Sequence, residues 1–96
     1  VYSLRDYLSN SSFSLLSEAI VVDNNRFYEI IYVRYEPVNN EEVSLLGQMW
    51  NGNNSDHQQY LENLIRLYQA RLMGSKAEAA QKILALYERC YSDNFN

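Results

Sequence analysis

Residues that support covalent catalysis are few and lie far apart in this sequence. Hydrolysis through a covalent intermediate requires a nucleophile beside a histidine that a third group orients. His57 is the only histidine of the 96 residues, and it falls in the first turn of an expected helix with no orienting neighbour. A solvated histidine near a helix start is therefore the better interpretation of His57.

Carboxylates and metal ligands do not form a catalytic pattern either. Glu41 and Glu42 are adjacent and Asp56 lies near Glu62, but acid–base catalysis needs two carboxyls in different environments of one cleft. Acids at a helix start are explained by their favourable interaction with the helix dipole. The single histidine and the single cysteine do not have metal-ligand spacing, and the three glycines do not form a phosphate-binding loop. We predict no catalytic residue, no cofactor and no metal.

Cys90 is the only cysteine, so it cannot form an internal disulfide. It falls near the end of the last expected helix, where Arg89 favours the thiolate and the helix C-terminus disfavours it. We predict an inert, partly buried thiol. The sequence shows no signal peptide and no apolar run long enough to span a bilayer, so a cytoplasmic location is the expectation.

The charge balance argues against nucleic acid and membrane surfaces as partners. The net charge is −4, and all of the excess acid falls within residues 1–54, which repels phosphate over long range. One feature favours DNA: Ala70 lies four residues before Gly74, a spacing typical of helix-turn-helix units. A DNA-binding regulator using residues 76–89 is therefore the alternative function. The next helix would present Lys76, Gln81, Lys82 and Arg89, although Glu78 and Glu88 share it and Gln69 and Ser75 are polar where such units pack.

Apolar and aromatic side chains form a further pattern. Residues 26–35, "RFYEIIYVRY", are apolar on both alternating faces, and a two-stranded hairpin alone would leave one face uncovered. Tyrosine and tryptophan are enriched where proteins meet. We predict a small non-enzymatic protein-interaction module, a regulator, adaptor or inhibitor, that binds another protein or itself as a homodimer. The alternative is that all these side chains belong to the core. The predicted binding residues are Tyr28, Tyr32, Trp50, Tyr60 and Leu67.

Turn-forming residues divide the first half of the chain into short elements. Ser3 followed by Asp6 resembles a capping box and predicts a helix over 3–9. The run "SSFSLLSEA" fits a helical turn or a loop equally. Residues 19–22 and 26–35 are rich in β-branched and aromatic side chains around "DNN", which favours a β-hairpin. A helix over 26–35 capped by Asn25 is the rival interpretation.

Three helices are expected in the second half. Pro37 ends the preceding element, and Asn39 or Asn40 would cap a helix through "EEVSLLGQMW", with Val43, Leu46, Met49 and Trp50 on one side. Residues 55–72 and 76–92 have apolar stripes at helical spacing. Capping boxes at Ser55 with Gln58 and at Ser75 with Glu78 begin these helices, and Gly74 would end the first in a left-handed conformation.

The stretches "LIRLYQARL" and "ILALYERCY" follow one pattern nineteen positions apart. Helical repeats have longer periods and contain helix pairs, so the doubling indicates two helices that fold back as an antiparallel αα-hairpin. The overall prediction is an α+β fold, mainly helical, with a β-hairpin packed on three to four helices. Residues 1–96 are expected to form a single domain, with a short helix and the hairpin in 1–37 and three helices in 39–92.

Overall fold

The computed structural model describes residues 1–36, 43–74 and 77–95. These residues form an α+β fold, as predicted; it has three helices and an antiparallel two-stranded sheet, and about 51% of the described residues are helical. The chain divides into two compact units, Val1–Met49 and Trp50–Asn96. The single domain and the packing of the hairpin on several helices stay predictions. The elements are α1 (Tyr2–Ser9), β1 (Phe13–Asp23), β2 (Arg26–Tyr35), α2 (Ser55–Arg71) and α3 (Ala77–Phe95).

Helix α1 confirms the helix predicted over 3–9, but the predicted cap is wrong. The helix begins one residue earlier, after Val1, and no side chain caps it. The Val1 carbonyl instead accepts the first helical hydrogen bond from the Arg5 amide at 2.9 Å. At the other end, Asn10 Nδ2 donates to the Asp6 carbonyl at 2.9 Å and Ser11 Oγ donates to the Tyr7 carbonyl at 2.8 Å. These side chains satisfy carbonyls that have no further helical turn to bind.

Strands β1 and β2 confirm the hairpin and exclude the rival helix over 26–35. Asn24 and Asn25 have φ of 50° and 63°, the positive values that a two-residue type I′ turn requires and that asparagine tolerates. Both interpretations of "SSFSLLSEA" are wrong over residues 13–19, because β1 already begins at Phe13. The long partner strand β2 supplies main-chain hydrogen bonds for these residues, and a bulge between Leu15 and Ser17 absorbs one extra residue.

The helix predicted through "EEVSLLGQMW" is wrong over residues 43–50, which have no helical structure. Gly47 has a φ of +85°, outside the helical region. Its amide donates to Ser44 Oγ at 2.9 Å, and the next amide, of Gln48, donates to Glu18 Oε1 at 2.6 Å. The bond from Gln48 to Glu18, thirty positions away, thus takes the place of a helical backbone hydrogen bond. Pro37, the candidate caps Asn39 and Asn40, and residues 41 and 42 lie outside the described residues.

Helices α2 and α3 confirm the predicted antiparallel αα-hairpin. The Tyr68 and Tyr87 rings stack with centroids 5.6 Å apart. Nearer the start of α2, Gln58 Nε2 donates to the Tyr91 hydroxyl at 2.9 Å, and that hydroxyl donates to Glu62 Oε1 at 3.0 Å. The N-terminal part of α2 therefore contacts the C-terminal part of α3, as in an antiparallel pair. The buried residues of this pair are Tyr60, Leu61, Tyr68, Ala80, Leu84, Tyr87 and Cys90.

The ends of α2 differ from the prediction. Asn54, and not Ser55, is the cap, because its Oδ1 accepts from the amides of Asp56 and His57 at 2.9 and 3.2 Å. Gly74 does not adopt the predicted left-handed conformation. Short-range bonds close the helix instead, including one from the Gly74 amide to the Arg71 carbonyl at 3.1 Å. The Ser75 cap of α3 lies outside the described residues, and α3 continues to Phe95.

Candidate protein-interaction surface

The register of the hairpin gathers exposed apolar side chains on one side, called here the outer face. Tyr28 pairs with Val21, Ile30 with Ala19 and Tyr32 with Ser17, and cross-strand partners share a face of the sheet. Leu16 is the extra residue of the bulge, so it and Ser17 together oppose Tyr32. Exposure is 45% for Tyr28, 61% for Tyr32, 54% for Leu16 and 38% for Val21. The outer face comprises Leu16, Ser17, Ala19, Val21, Tyr28, Ile30 and Tyr32.

The opposite side, the inner face, holds two buried carboxylates. Glu18 pairs with Ile31 and Glu29 with Ile20, which places both acids on the inner face. Arg5, from α1, reaches them: its Nε donates to Glu29 Oε1 at 2.8 Å and its Nη1 donates to Glu18 Oε2 at 2.9 Å. Side-chain exposure is 1% for Arg5, 8% for Glu18 and 1% for Glu29. The inner face is thus covered around the two carboxylates, although Val22 and Tyr35 near its ends are 41% and 65% exposed. The two exposed rings that share one face, Tyr28 and Tyr32, lie on the outer face.

The same guanidinium also holds the segment 43–49. Arg5 Nη1 donates to the Ser44 carbonyl at 3.1 Å, and Nη2 lies 3.6 Å from Met49 Sδ. A Cβ at Gly47 would lie 2.6 Å from Arg5 Nη2 and 2.5 Å from Met49 Sδ, so it would displace one of these side chains, and the φ of +85° favours glycine as well. Buried charges require such a complete set of partners. Arg5, Glu18, Glu29 and Gly47 form what is called here the arginine cluster.

Sequence reasoning missed the arginine cluster, although one signal was present. Glu18 and Glu29 each interrupt an apolar strand at a position on the same face. A charged residue at an inward position of a strand requires a partner of opposite charge. Arg5 is one of only three basic residues in positions 1–54, so the number of possible partners was small.

The predicted binding residues Trp50 and Tyr60 pack together in the second unit. Their rings stack with centroids 5.9 Å apart and an interplanar angle of 20°. Tyr60 is buried and Trp50 is half-buried. His57 contacts Trp50 edge-on at 6.5 Å, and its Nδ1 accepts from the Asn51 amide at 3.0 Å. His57 is therefore half-buried and bound to the loop before α2, where the sequence predicted a solvated side chain.

Leu67, the fifth predicted residue, is exposed on α2, and Leu86 is exposed on α3. An open groove of about 270 Å³ also lies on this helix pair, lined by Glu62, Ile65, Arg66 and Tyr91. Its polar groups bind one another, since the Tyr91 hydroxyl donates to Glu62 and Arg66 forms an ion pair with the same carboxylate at 3.8 Å. The polar groups of the groove are thus paired with one another, and the rest of its lining is mainly apolar.

The α3 surface considered for DNA does not concentrate positive charge. Lys82 and Arg89 are exposed, but so are Glu78 and Glu88 of the same helix, and Lys76 lies outside the described residues. Cys90 is buried, whereas the sequence predicted a partly buried thiol, and its Sγ lies 3.6 Å from Asn94 Nδ2. Within residues 1–36, 43–74 and 77–95, no observation favours binding to a duplex over binding to a protein.

Three further findings bear on function. Among the described residues, no group of three or more histidine, cysteine, aspartate or glutamate side chains is arranged to hold a metal ion. No helix in that part of the chain is both long and apolar enough to cross a bilayer. Comparison with protein-family models, with curated proteins and with solved structures found no match to this chain.

Proposed function

We propose that this protein is a small non-enzymatic protein-interaction module that binds its partner through the outer face of the hairpin. The observation behind this proposal is the pair of exposed rings, Tyr28 and Tyr32, at 45% and 61% exposure on one strand face. Leu16 and Val21 extend the apolar surface on the neighbouring strand. Isolated exposed apolar residues are normal in soluble proteins, whereas a contiguous group of them marks an interaction surface.

The energy available from covering these rings is sizeable. Their exposed fractions add up to about one whole tyrosine, on the order of 200 Å². At about 25 cal/mol per Å², burial of that area in a complex would contribute about 5 kcal/mol before the costs of association. Tyrosine also loses little conformational entropy on binding, because it has only two rotatable side-chain bonds.

The arginine cluster supports the proposal because it holds the surface in place. Arg5 connects α1, both strands and the segment 43–49 through one buried guanidinium. A binding surface that is already ordered avoids an entropic cost when the partner arrives. The hairpin is therefore a preorganised support for the outer face.

This proposal narrows the set of binding residues predicted from sequence. Tyr28 and Tyr32 are its centre. Trp50 and Tyr60 are assigned to the packing of the second unit, because Tyr60 is buried against the Trp50 ring. Leu67 remains a secondary candidate on α2. Action as a regulator, adaptor or inhibitor, and a cytoplasmic location, also remain proposals.

Site-specific photo-crosslinking tests the proposal. A photoreactive phenylalanine analogue replaces Tyr28, Tyr32 or, as control, Tyr7, which is 64% exposed on α1 in the same unit. In the cells from which the chain comes, we expect discrete protein adducts from positions 28 and 32 and none from position 7. The adducts from position 32 should disappear when the chain also contains Tyr28→Asp. Equal labelling from all three positions, or none from any, would contradict the proposal.

A further inference from the structure

We infer that the partner on the outer face is a second copy of this chain, related to the first by a two-fold axis that runs parallel to the strands. This inference rests on the proposed function and names the partner. Its first support is the unequal size of the two strand rows. On β2 the row is bulky, with Tyr28, Ile30 and Tyr32. On β1 the cross-strand partners are smaller, with Val21, Ala19 and Ser17.

A two-fold axis along the strands places β2 of one copy over β1 of the other at the same level. Tyr28 then lies over Val21 of the second copy, and Tyr32 lies over Ser17 and Leu16 of that copy. Sheets pack face to face about 10 Å apart, and large side chains opposite small ones fill such a gap. An in-plane axis perpendicular to the strands would instead place the bulky rows over each other and leave a void between the small rows. Shape therefore selects the parallel axis.

Charge selects the same axis. Asp23 and Arg26 pair at the turn end of the outer face. The parallel axis puts Arg26 over Asp23 of the second copy and Asp23 over Arg26 of that copy. Both contacts join opposite charges and are attractive. The perpendicular axis would set Arg26 opposite Arg34 of the second copy. Between the charged ends all residues of the outer face are uncharged, so self-association would bury no unpaired charge.

The size of the surface predicts a weak dimer. With the smaller residues added to the two tyrosines, each copy contributes roughly 400 Å², and the total of about 800 Å² is below the ~1,200–2,000 Å² of stable complexes. We therefore expect a dissociation constant in the micromolar to sub-millimolar range, so that the dimer forms only at high protein concentration. The net charge of −4 adds long-range repulsion that salt weakens.

Sedimentation equilibrium over a wide range of concentrations, with the intact chain, tests this arrangement. We expect a reversible monomer–dimer equilibrium that Tyr32→Asp abolishes and Tyr7→Asp leaves unchanged. Asp23→Arg alone and Arg26→Asp alone each convert both attractive contacts into repulsive ones. The dissociation constant should then rise about tenfold, since exposed ion pairs contribute roughly 0.2–1 kcal/mol each. Arg34→Asp is the control with the same change of net charge as Arg26→Asp, and it should have a smaller effect, because the parallel axis gives Arg34 no charged contact.

The decisive measurement mixes the two single variants. In a mixed dimer, Arg26 of the Asp23→Arg copy faces Asp23 of the Arg26→Asp copy, and the exchanged charges also attract, so dimerisation should return to the wild-type level. Circular dichroism checks that each variant is folded. Failure of the mixture to recover would overturn the arrangement. A chain that stays monomeric while positions 28 and 32 crosslink only to a different protein would overturn the inference and leave the proposed function standing. Absence of any adduct, both in cells and with the purified chain at the highest concentration used in sedimentation, would overturn both.

Discussion

Replacement of Arg5 by methionine should destabilise the hairpin unit strongly. The substitution keeps an unbranched side chain of similar length but removes the guanidinium that bonds both the Glu18 and the Glu29 carboxylate. These carboxylates have side-chain exposures of 8% and 1%, so water does not replace the lost partner. Removing one member of a buried ion pair costs roughly 3–5 kcal/mol, because the remaining charge stays buried. Domains have about 5–15 kcal/mol of stability in total, so this cost is a large part of it.

Urea unfolding followed by circular dichroism measures the loss, and amide hydrogen exchange of β1 and β2 assigns it to the hairpin. The informative comparison is the triple variant Arg5→Met, Glu18→Gln, Glu29→Gln. It removes all three buried charges, so it should be more stable than Arg5→Met alone even though it contains two more substitutions. Glu29→Gln alone should cost less than Arg5→Met, since Glu18 still pairs with the guanidinium. A loss below about 1 kcal/mol for Arg5→Met, or a triple variant less stable than the single one, would refute the reasoning.

Two other substitutions test the backbone features. Gly47→Ala should destabilise the protein by at least about 1–2 kcal/mol in the same urea assay, because its φ is +85° and the new Cβ would lie 2.6 Å from Arg5 Nη2. Gly74→Ala is its control and should be neutral or slightly stabilising, since the nearest atom to that Cβ is 3.6 Å away. Asn54→Ala should cost about 1 kcal/mol and fray the start of α2 in hydrogen exchange, whereas Ser55→Ala should change little. Equal losses for the two glycines, or a larger loss at Ser55 than at Asn54, would contradict these assignments.

Local patterns were sufficient where an element depends on its own residues. The two helices of the αα-hairpin follow from apolar stripes at helical spacing, and the β-turn follows from two asparagines, which tolerate positive φ. The alternation of residues 26–35 also placed Tyr28 and Tyr32 on one face, where the register confirms them. These features need no knowledge of the rest of the chain, because neighbours within a few positions determine them.

Errors occurred where distant residues decide the local conformation. β1 begins at Phe13 because β2 is long enough to pair with it, and no short window contains both strands. The helix predicted over 41–50 had a suitable apolar pattern. In its described part the Ser44 carbonyl instead accepts from the Arg5 guanidinium, and the Gly47 amide donates to Ser44 Oγ. Those bonds replace the backbone hydrogen bonds that a helix would form, and the helix propensity of these residues is too weak to outweigh them.

The sequence by itself determined the α+β class, the hairpin turn, the antiparallel helix pair and the aromatic character of the proposed surface. Only the tertiary structure decided which face of the hairpin is covered at its centre. Both faces are apolar in the sequence, and the choice depends on Arg5 meeting Glu18 and Glu29 from positions 13 and 24 residues away. The physical reason is that a buried charge needs a partner in space, and closeness in space between residues far apart in the chain is a property of the fold.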